Sequence, residues 1–252
     1  MKPDQLLRTA REVAKPSLRL LCLPYAGGGV TIFRDWARAL PQTVEVRALQ
    51  LPARQDRLGE PGLTRIADIV AAIVRVLQPL SPAPIGIFGH SFGSLVAFEL
   101  SRSLTAAGTP PRALIVGALR PPHLPRRLPP MFHLAEPAFK DELHRRYGTP
   151  RQLLDNAELM QLGLPSLRAD LTALETYEYA ADRPLDLPLT VLHGRRDSWV
   201  SQEDALAWRQ LMAPTSPAAS GLTLHEVDAG HFFVDTHRAW VMERVADALR
   251  AV

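Results

Sequence analysis

The sequence predicts an α/β fold in which a mostly parallel, doubly wound sheet carries helices on both faces. Short apolar segments alternate with longer segments whose apolar residues recur every three or four positions, which is typical of repeated strand–helix units. The apolar segments are continuous, as expected for strands covered on both faces. The chain has 252 residues, of which 46% are hydrophobic. This size and composition suit a single domain over residues 1–252 with a substantial core.

The predicted elements follow one another as strand, helix, strand. Six strands are predicted, at Leu18–Leu23, Val44–Leu51, Ile85–Phe88, Ala113–Gly117, Leu187–His193 and Leu222–Val227. Between the second and third strands, apolar residues at helical spacing predict a helix over Ile66–Leu77. Another helix begins near Leu95, and a last one covers roughly Arg238–Leu249.

A long segment interrupts this alternation between the fourth and fifth predicted strands. It has about seventy residues, whereas a simple crossover needs only ~10–20. It opens with five prolines in Pro121–Pro130, and predicted helices follow at Pro137–Tyr147, Arg151–Leu162 and Ser166–Tyr179. Loops that leave the carboxyl ends of parallel strands border the ligand site. We therefore predict a helical lid over residues 121–180; the alternative is a helical extension far from the site.

Composition excludes several classes of protein. No apolar run approaches the ~18 residues needed to span a bilayer. The segment Met1–Pro16 lacks the apolar centre of a signal peptide, so a cytoplasmic location without membrane contact is expected. Cys22 is the single cysteine and is predicted to be a small buried hydrophobe. The spacing of cysteine and histidines predicts no metal site, and no cofactor is expected.

The charge of the chain is mildly basic. The formal net charge is +3, and no long basic run is present, so nucleic-acid binding is not predicted. A small excess of arginine suits an acidic partner, although an ordinary solvated surface explains it equally well.

The pentapeptide Gly89-His90-Ser91-Phe92-Gly93 is the most informative motif. It lies between a predicted strand and a predicted helix, which is the setting of the nucleophile elbow in the α/β-hydrolase fold. The glycines allow the strand and helix backbones to pass close together. The pattern alone also fits an ordinary glycine-flanked turn, so an acid and a histidine must follow in the right order.

Candidates for both partners follow in the expected chain order of serine, acid and histidine. Residues 118–130 contain no Asp or Glu, whereas the fifth predicted strand is followed by Gly194-Arg195-Arg196-Asp197, which makes Asp197 the natural acid. Asp197 could instead cap the next helix, but Ser201 can fill that role. His231 follows the last strand and precedes the final helix. We predict that Ser91 is the nucleophile, His231 the general base and Asp197 the acid that orients it.

A tetrahedral intermediate also needs backbone donors for its oxyanion. The amide of Phe92, directly after the nucleophile, is the first predicted donor. The second is the amide of Ala26, in the loop after the first strand. The glycines at 27–29 allow that loop to approach a substrate closely, although they are also compatible with a flexible turn.

Several motifs together resemble the type II thioesterases, stand-alone proteins associated with polyketide and nonribosomal peptide synthases. These motifs are Pro24-Tyr25-Ala26-Gly27-Gly28, Leu51-Pro52-Ala53-Arg54, the serine pentapeptide, Arg168-Ala169-Asp170, Tyr177 and Gly230-His231-Phe232. The resemblance covers about residues 18–250, with Ala53 standing where the family usually has glycine. It implies hydrolysis of acyl groups from the phosphopantetheine thiol of acyl or peptidyl carrier proteins. The implied role is to clear misprimed or stalled chains.

The residues alone predict acyl transfer to water without selecting a thioester. Two alternatives therefore stay open: a small-molecule carboxylesterase or lipase with the same triad, and a silent binding protein on the same fold. Arginines of the predicted lid are candidates for contact with an acidic carrier protein, or are simply solvated charges: Arg126, Arg127, Arg145, Arg146 and Arg151. The sequence predicts neither the preferred acyl chain, the pathway nor the oligomeric state.

Overall fold

A single seven-stranded sheet organises the molecule. The computed structural model describes residues 3–9, 11–182, 184–213 and 222–250. The strands are β1 Leu7–Thr9, β2 Leu18–Leu23, β3 Val44–Leu49, β4 Ile85–His90, β5 Ala113–Gly117, β6 Leu189–Gly194 and β7 Thr223–Val227. They lie in the order β1-β3-β2-β4-β5-β6-β7. Strands β2 to β7 pair in parallel, and β1 pairs antiparallel with β3.

Helices cover both faces of the sheet, as predicted. They are α1 Pro3–Leu6, α2 Trp36–Ala39, α3 Ile66–Leu77, α4 Phe92–Ala106, α5 Glu136–Tyr147, α6 Arg151–Leu154, α7 Ala157–Glu175, α8 Gln202–Ala207, α9 Phe233–Thr236 and α10 Arg238–Arg250. Successive side chains of a strand point to opposite faces. Accordingly, Leu21 and Leu23 pack in the cluster of α3 and α4. Leu20 and Cys22 pack in the cluster of α2 and α10, so Cys22 is buried as predicted.

Strand β1 was not predicted, because it has three residues in a segment that is otherwise polar. Its formation depends on a partner far along the chain, since Leu7 pairs with Leu49 of β3. Leu6 and Leu7 are both buried in the core. Strand β3, which was predicted as Val44–Leu51, ends at Leu49, two residues before the predicted end.

The helical insertion between β5 and β6 differs from the prediction in where its helices break. Two helices were expected at Arg151–Leu162 and Ser166–Tyr179, but the chain breaks after Leu154 and α7 then runs through Pro165. The side chain of Asn156 caps α7 by accepting from the Leu159 amide. Pro165 has no N–H, so one helical hydrogen bond is missing in α7. In the same turn, the Ser166 hydroxyl donates to the Gly163 carbonyl at 2.9 Å.

The insertion also has a small core of its own. Six buried side chains form it: Met131, Phe139, Leu143, Leu154, Leu164 and Leu171. The Arg168 guanidinium lies 4.0 Å from the centroid of the Phe139 ring. Arg168 also donates to the carbonyls of Phe132 and Leu134. These bonds hold the first part of the insertion against α7.

Within the described ranges, no helix has the length and apolar character needed to cross a membrane. The same part of the chain holds no group of three or more His, Cys, Asp or Glu side chains that could bind a metal ion.

Candidate active site

Ser91 occupies a strained turn between β4 and α4. Its φ is +53° and its ψ is −119°, a conformation that is rare for any residue other than glycine. The neighbouring glycines explain how the chain can make this turn. A Cβ on Gly89 would lie 2.3 Å from the Gly93 carbonyl oxygen, and a Cβ on Gly93 would lie 2.1 Å from the Leu23 carbonyl oxygen. A side chain therefore fits at neither position.

Hydrogen bonds fix the same turn to the next strand. The Ser91 amide donates to the carbonyl of Gly117 in β5 at 2.8 Å. The buried Ser94 hydroxyl lies 2.8 Å from the carbonyl oxygens of both Gly89 and Gly117. It also accepts from the Gly117 amide at 3.0 Å. Strands β4 and β5 and helix α4 are thus joined directly beneath the serine.

The structure brings together the three side chains predicted to carry the chemistry. His231 Nε2 lies 3.0 Å from Ser91 Oγ, and His231 Nδ1 lies 2.8 Å from Asp197 Oδ2. The other oxygen of Asp197 accepts from the Trp199 amide at 2.9 Å. An ionised Asp197 favours the tautomer with its proton on Nδ1, which leaves the Nε2 lone pair facing the serine hydroxyl. Ser201 caps α8 with a capping box, so Asp197 is not needed there.

His90 contacts the backbone of His231, the predicted base. It is fully buried, and its Nε2 donates to the backbone carbonyl of His231 at 2.8 Å. Burial, reinforced by the nearby His231, lowers the pKa of His90 well below its usual value. A neutral His90 therefore holds the loop that carries the predicted base. The sequence placed His90 in the elbow but did not reveal this contact.

Trp199 connects the insertion to the predicted base, a link that sequence reasoning missed. Its indole meets His231 edge to face, with ring centroids 4.3 Å apart. Tyr147, the last residue of α5, packs on the same indole at 4.7 Å. Burial raises the pKa of Tyr147 to about 12, so it stays neutral. The one sequence signal was that Trp199 follows Asp197 by two positions.

The two predicted oxyanion donors lie beyond the carboxyl ends of adjacent strands. Leu23 of β2 pairs with Gly89 of β4. Ala26 and Phe92 each come three residues after these paired positions, so their backbones emerge at the same edge of the sheet. Phe92 is the first residue of α4, where an amide has no acceptor within the helix. The donor roles of both amides remain predictions.

A cavity of about 740 Å³ opens from Ser91 and His231 toward the insertion. Its walls are largely apolar and include Leu95, Leu119, Leu174 and Trp199. Tyr177 also contributes to the wall, and its hydroxyl donates to Glu99 Oε1 at 2.6 Å. Burial, together with Glu99, raises the pKa of Tyr177, so its hydroxyl stays protonated. The cavity can hold an extended apolar group whose reactive end reaches the serine.

Comparison with known proteins identifies the family. The family model described as "Thioesterase domain" matches residues 18–251. The chain belongs to the thioesterase domain family. It is a thioester hydrolase of the serine-hydrolase kind, with the α/β-hydrolase fold.

Two curated relatives and one solved structure illustrate the similarity. The gramicidin S biosynthesis protein GrsT of Aneurinibacillus migulanus is 34% identical, over 93% of this chain and 90% of its own length. Thioesterase PikA5 of Streptomyces venezuelae is 32% identical, over 96% of this chain and 85% of its own. The structure of the type II thioesterase BorB from the borrelidin biosynthetic cluster superimposes with a TM-score of 0.85 at 33% identity, covering 98% of each chain.

The arginines expected to meet a partner of this thioesterase are mostly paired within the protein. Arg127 pairs with Asp204 at 2.9 Å and Arg145 with Glu142 at 2.6 Å, yet their side chains remain 54% and 60% exposed. Arg126 donates to the Tyr177 carbonyl. The side chain of Arg146 is only 5% exposed and contacts Glu142 and the Pro129 carbonyl, so it offers little free surface to a partner.

The departure of this thioesterase from the family pattern at Ala53 also has a structural meaning. Ala53 is buried and has a φ of +65°, in the region that favours glycine. Its amide donates to the Arg57 carbonyl at 3.0 Å, which closes the turn after β3. The backbone geometry suited to glycine is therefore kept, although the residue is alanine.

Proposed function

We propose that this thioesterase hydrolyses acyl groups from the phosphopantetheine thiol of acyl or peptidyl carrier proteins. Its role is to clear misprimed or stalled chains from polyketide or nonribosomal peptide synthases. The observation that carries the proposal is the Ser91–His231–Asp197 arrangement at the base of an apolar cavity. Support comes from relatives named for such pathways, including GrsT and BorB.

In the first half of the proposed reaction, His231 Nε2 takes the Ser91 proton as Ser91 Oγ attacks the acyl carbonyl. Asp197 stabilises the imidazolium that forms. The amides of Phe92 and Ala26 donate to the oxyanion. When the tetrahedral intermediate collapses, the carbon–sulfur bond breaks and His231 gives its proton to the departing sulfur, so that phosphopantetheine leaves as the free thiol. The acyl group is left as an ester on Ser91.

In the second half, water attacks the acyl-serine while His231 takes one of its protons. The same two amides stabilise the second oxyanion. Collapse breaks the bond to Ser91 Oγ, and His231 returns the proton to the serine. These steps use only side chains, backbone amides and water.

Residues 121–180 form the lid of this chamber in the proposal. They supply most of the wall opposite Ser91, and α5 reaches the predicted base through Tyr147 and Trp199. A carrier protein docks at the rim of the cavity, where Arg127 remains exposed; Arg145 is also exposed, on α5. The proposal includes neither nucleic acid nor a membrane as partner, and the cytoplasmic location stays a prediction.

A panel of acylated carrier proteins tests the proposal. For each acyl chain, kcat/KM is compared among the carrier thioester, the acyl-pantetheine thioester and the p-nitrophenyl ester. We expect the carrier thioester to exceed the aryl ester by at least about tenfold. The pantetheine thioester separates the contribution of the carrier from that of the thioester bond. A preference for the aryl ester over both thioesters contradicts the proposal and favours a carboxylesterase.

A further inference from the structure

A buried ion pair joins the insertion to the loop after β3. Arg54 lies in that loop, and Asp170 lies in the middle of α7. Their two parallel contacts measure 2.7 Å from Nη2 to Oδ1 and 2.8 Å from Nη1 to Oδ2. Arg54 is 5% exposed and Asp170 is fully buried. Two parallel bonds between a guanidinium and a carboxylate fix direction as well as distance.

The same pair also contacts the loop that carries Ala26. Asp170 Oδ2 accepts the Gly27 amide at 2.8 Å. Arg54 Nη1 donates to the Gly28 carbonyl at 2.8 Å. The backbone directly after Ala26 is therefore gripped at one amide and one carbonyl by two charged side chains from other parts of the chain.

These contacts determine where the Ala26 amide points. The Tyr25 carbonyl and the Ala26 amide belong to one planar peptide unit, in which C=O and N–H point in opposite directions. The Tyr25 carbonyl accepts from the Gly28 amide at 2.9 Å. Holding Gly27 and Gly28 in place thus holds the Tyr25 carbonyl, and with it the Ala26 N–H. A run of glycines does not hold such a conformation by itself.

We infer that Arg54 and Asp170 are positioning residues, which hold the Ala26 amide toward the oxyanion formed when Ser91 attacks an acyl carbonyl. The inference rests on the proposed function for the reaction that it serves. Because Asp170 belongs to α7, the insertion supports the oxyanion loop as well as covering the chamber. A shift of α7 then changes the position of the donor and, through it, the rate of the chemical step.

A second buried carboxylate offers a control. Glu45 pairs with Arg19 near the amino ends of β2 and β3, at the edge of the sheet opposite Ser91, and it also pairs with Arg47. Arg19 and Glu45 are 3% and 2% exposed. Asp170→Asn and Glu45→Gln each remove one buried negative charge beside arginine and keep the side-chain size. If Asp170 had a purely structural role, the two substitutions should change kcat and boronate inhibition to a similar extent.

The experiment measures kcat and KM for octanoyl-pantetheine, inhibition by octylboronic acid, and thermal unfolding. Ser91 Oγ adds to boron while its proton passes to His231, which leaves a tetrahedral anion in place of the oxyanion. We expect Asp170→Asn to lower kcat by about 10- to 100-fold and to weaken boronate inhibition by a similar factor. KM should change by less than about threefold. Glu45→Gln should leave kcat and boronate inhibition close to the parent values.

Two results overturn the inference: an Asp170→Asn variant with kcat and boronate inhibition within about threefold of the parent, or equal losses in Glu45→Gln. If Asp170→Asn does not fold, Arg54→Lys takes its place under the same two criteria. A single ammonium keeps the charge but cannot span both carboxylate oxygens and the Gly28 carbonyl. If the parent binds the boronate but hydrolyses no thioester, the proposed function fails, and the affinity of each variant for the boronate, measured by direct binding, alone decides this inference.

Discussion

The serine turn and the helical insertion above it are held by different kinds of contact. At the turn, main-chain atoms lie so close to Gly89 and Gly93 that no Cβ fits. The insertion instead rests on a small side-chain core and on a few polar or aromatic contacts to the body, such as Arg54–Asp170 and Tyr147–Trp199. The turn that carries Ser91 therefore tolerates almost no sequence change, whereas the shape of the chamber can vary by substitution in the insertion.

The largest expected effect is at the turn itself. Ser91→Ala should fold normally and lower kcat for thioester hydrolysis by a factor on the order of 10⁴–10⁶, because the nucleophile is gone. His231→Ala should be similarly severe. Steady-state kinetics with circular dichroism as the folding check measures both, and Ser103→Ala in the same helix is the control. Activity of Ser91→Ala within tenfold of the parent would show that Ser91 is not the nucleophile.

Asp197→Asn should leave the fold intact and lower the rate by a factor on the order of 10⁴, because the amide favours the wrong imidazole tautomer. Asp228→Asn is the matched control, since Asp228 is on the loop before His231 but is 64% exposed and pairs with Arg196. Steady-state kinetics of both variants provides the comparison. A fully active Asp197→Asn beside an inactive Asp228→Asn or Asp235→Asn would show that another carboxylate orients the base.

Two glycine substitutions test the difference between the regions in terms of stability. Gly93→Ala places a Cβ against the Leu23 carbonyl, whereas a Cβ on Gly163 in α7 meets open space. We expect Gly93→Ala to lower the free energy of unfolding by roughly 3 kcal/mol or more. Gly163→Ala should raise it by up to about 1 kcal/mol, because alanine favours a helix. Urea unfolding of both variants measures these changes in the free energy of unfolding. Equal changes would contradict the claim that the serine turn is more tightly constrained than the insertion.

Hydrogen exchange tests whether the insertion behaves as a lid. Amides of α5 to α7 should exchange faster than those of β4 to β6, because fewer buried contacts hold the insertion. Octylboronic acid should slow exchange in the insertion and leave the sheet unchanged. Protection of the insertion equal to that of the sheet, with or without the ligand, would count against a lid.

The smallest expected effect concerns docking of the carrier. Replacing Arg127 and Arg145 by alanine should raise KM for an acyl-carrier protein severalfold, because exposed charges act mainly on association. Added salt should do the same to the parent, since these charges are screened over about 8 Å at physiological ionic strength. Turnover of acyl-pantetheine is the control and should barely change. An equal response of both substrates would show that these arginines do not dock the carrier.

The sequence was most informative where local pattern and chemistry coincide. Continuous apolar strands indicated the parallel sheet, and the order of Ser91, Asp197 and His231 picked out three side chains of which His231 lies within hydrogen-bond distance of each of the other two. Each of these residues lies within four positions after the end of a strand. Since the carboxyl ends of parallel strands meet at one edge of the sheet, their order in the chain was enough to bring them together.

Features that depend on distant partners were not predicted. Strand β1 exists because Leu7 pairs with Leu49, and three residues carry no periodic signal. Helix α7 continues through Pro165 because tertiary packing of Leu164 and Leu171 outweighs the local preference for a break. Burial of Arg146 and the contact of Trp199 with His231 likewise follow from how the insertion rests on the body. The sequence placed Arg54 and Asp170 in two separate motifs, but only the folded structure shows that they contact each other.

Covalent labelling tests most directly the central claim that Ser91 is the nucleophile of thioester hydrolysis. The protein is titrated with a fluorophosphonate, the labelled residue is located by peptide mass spectrometry, and octanoyl-pantetheine hydrolysis is measured on the same samples. The account predicts one label per chain, on Ser91, and hydrolysis that falls in proportion to the labelled fraction. Label on another residue, or hydrolysis that persists in fully labelled protein, would contradict it.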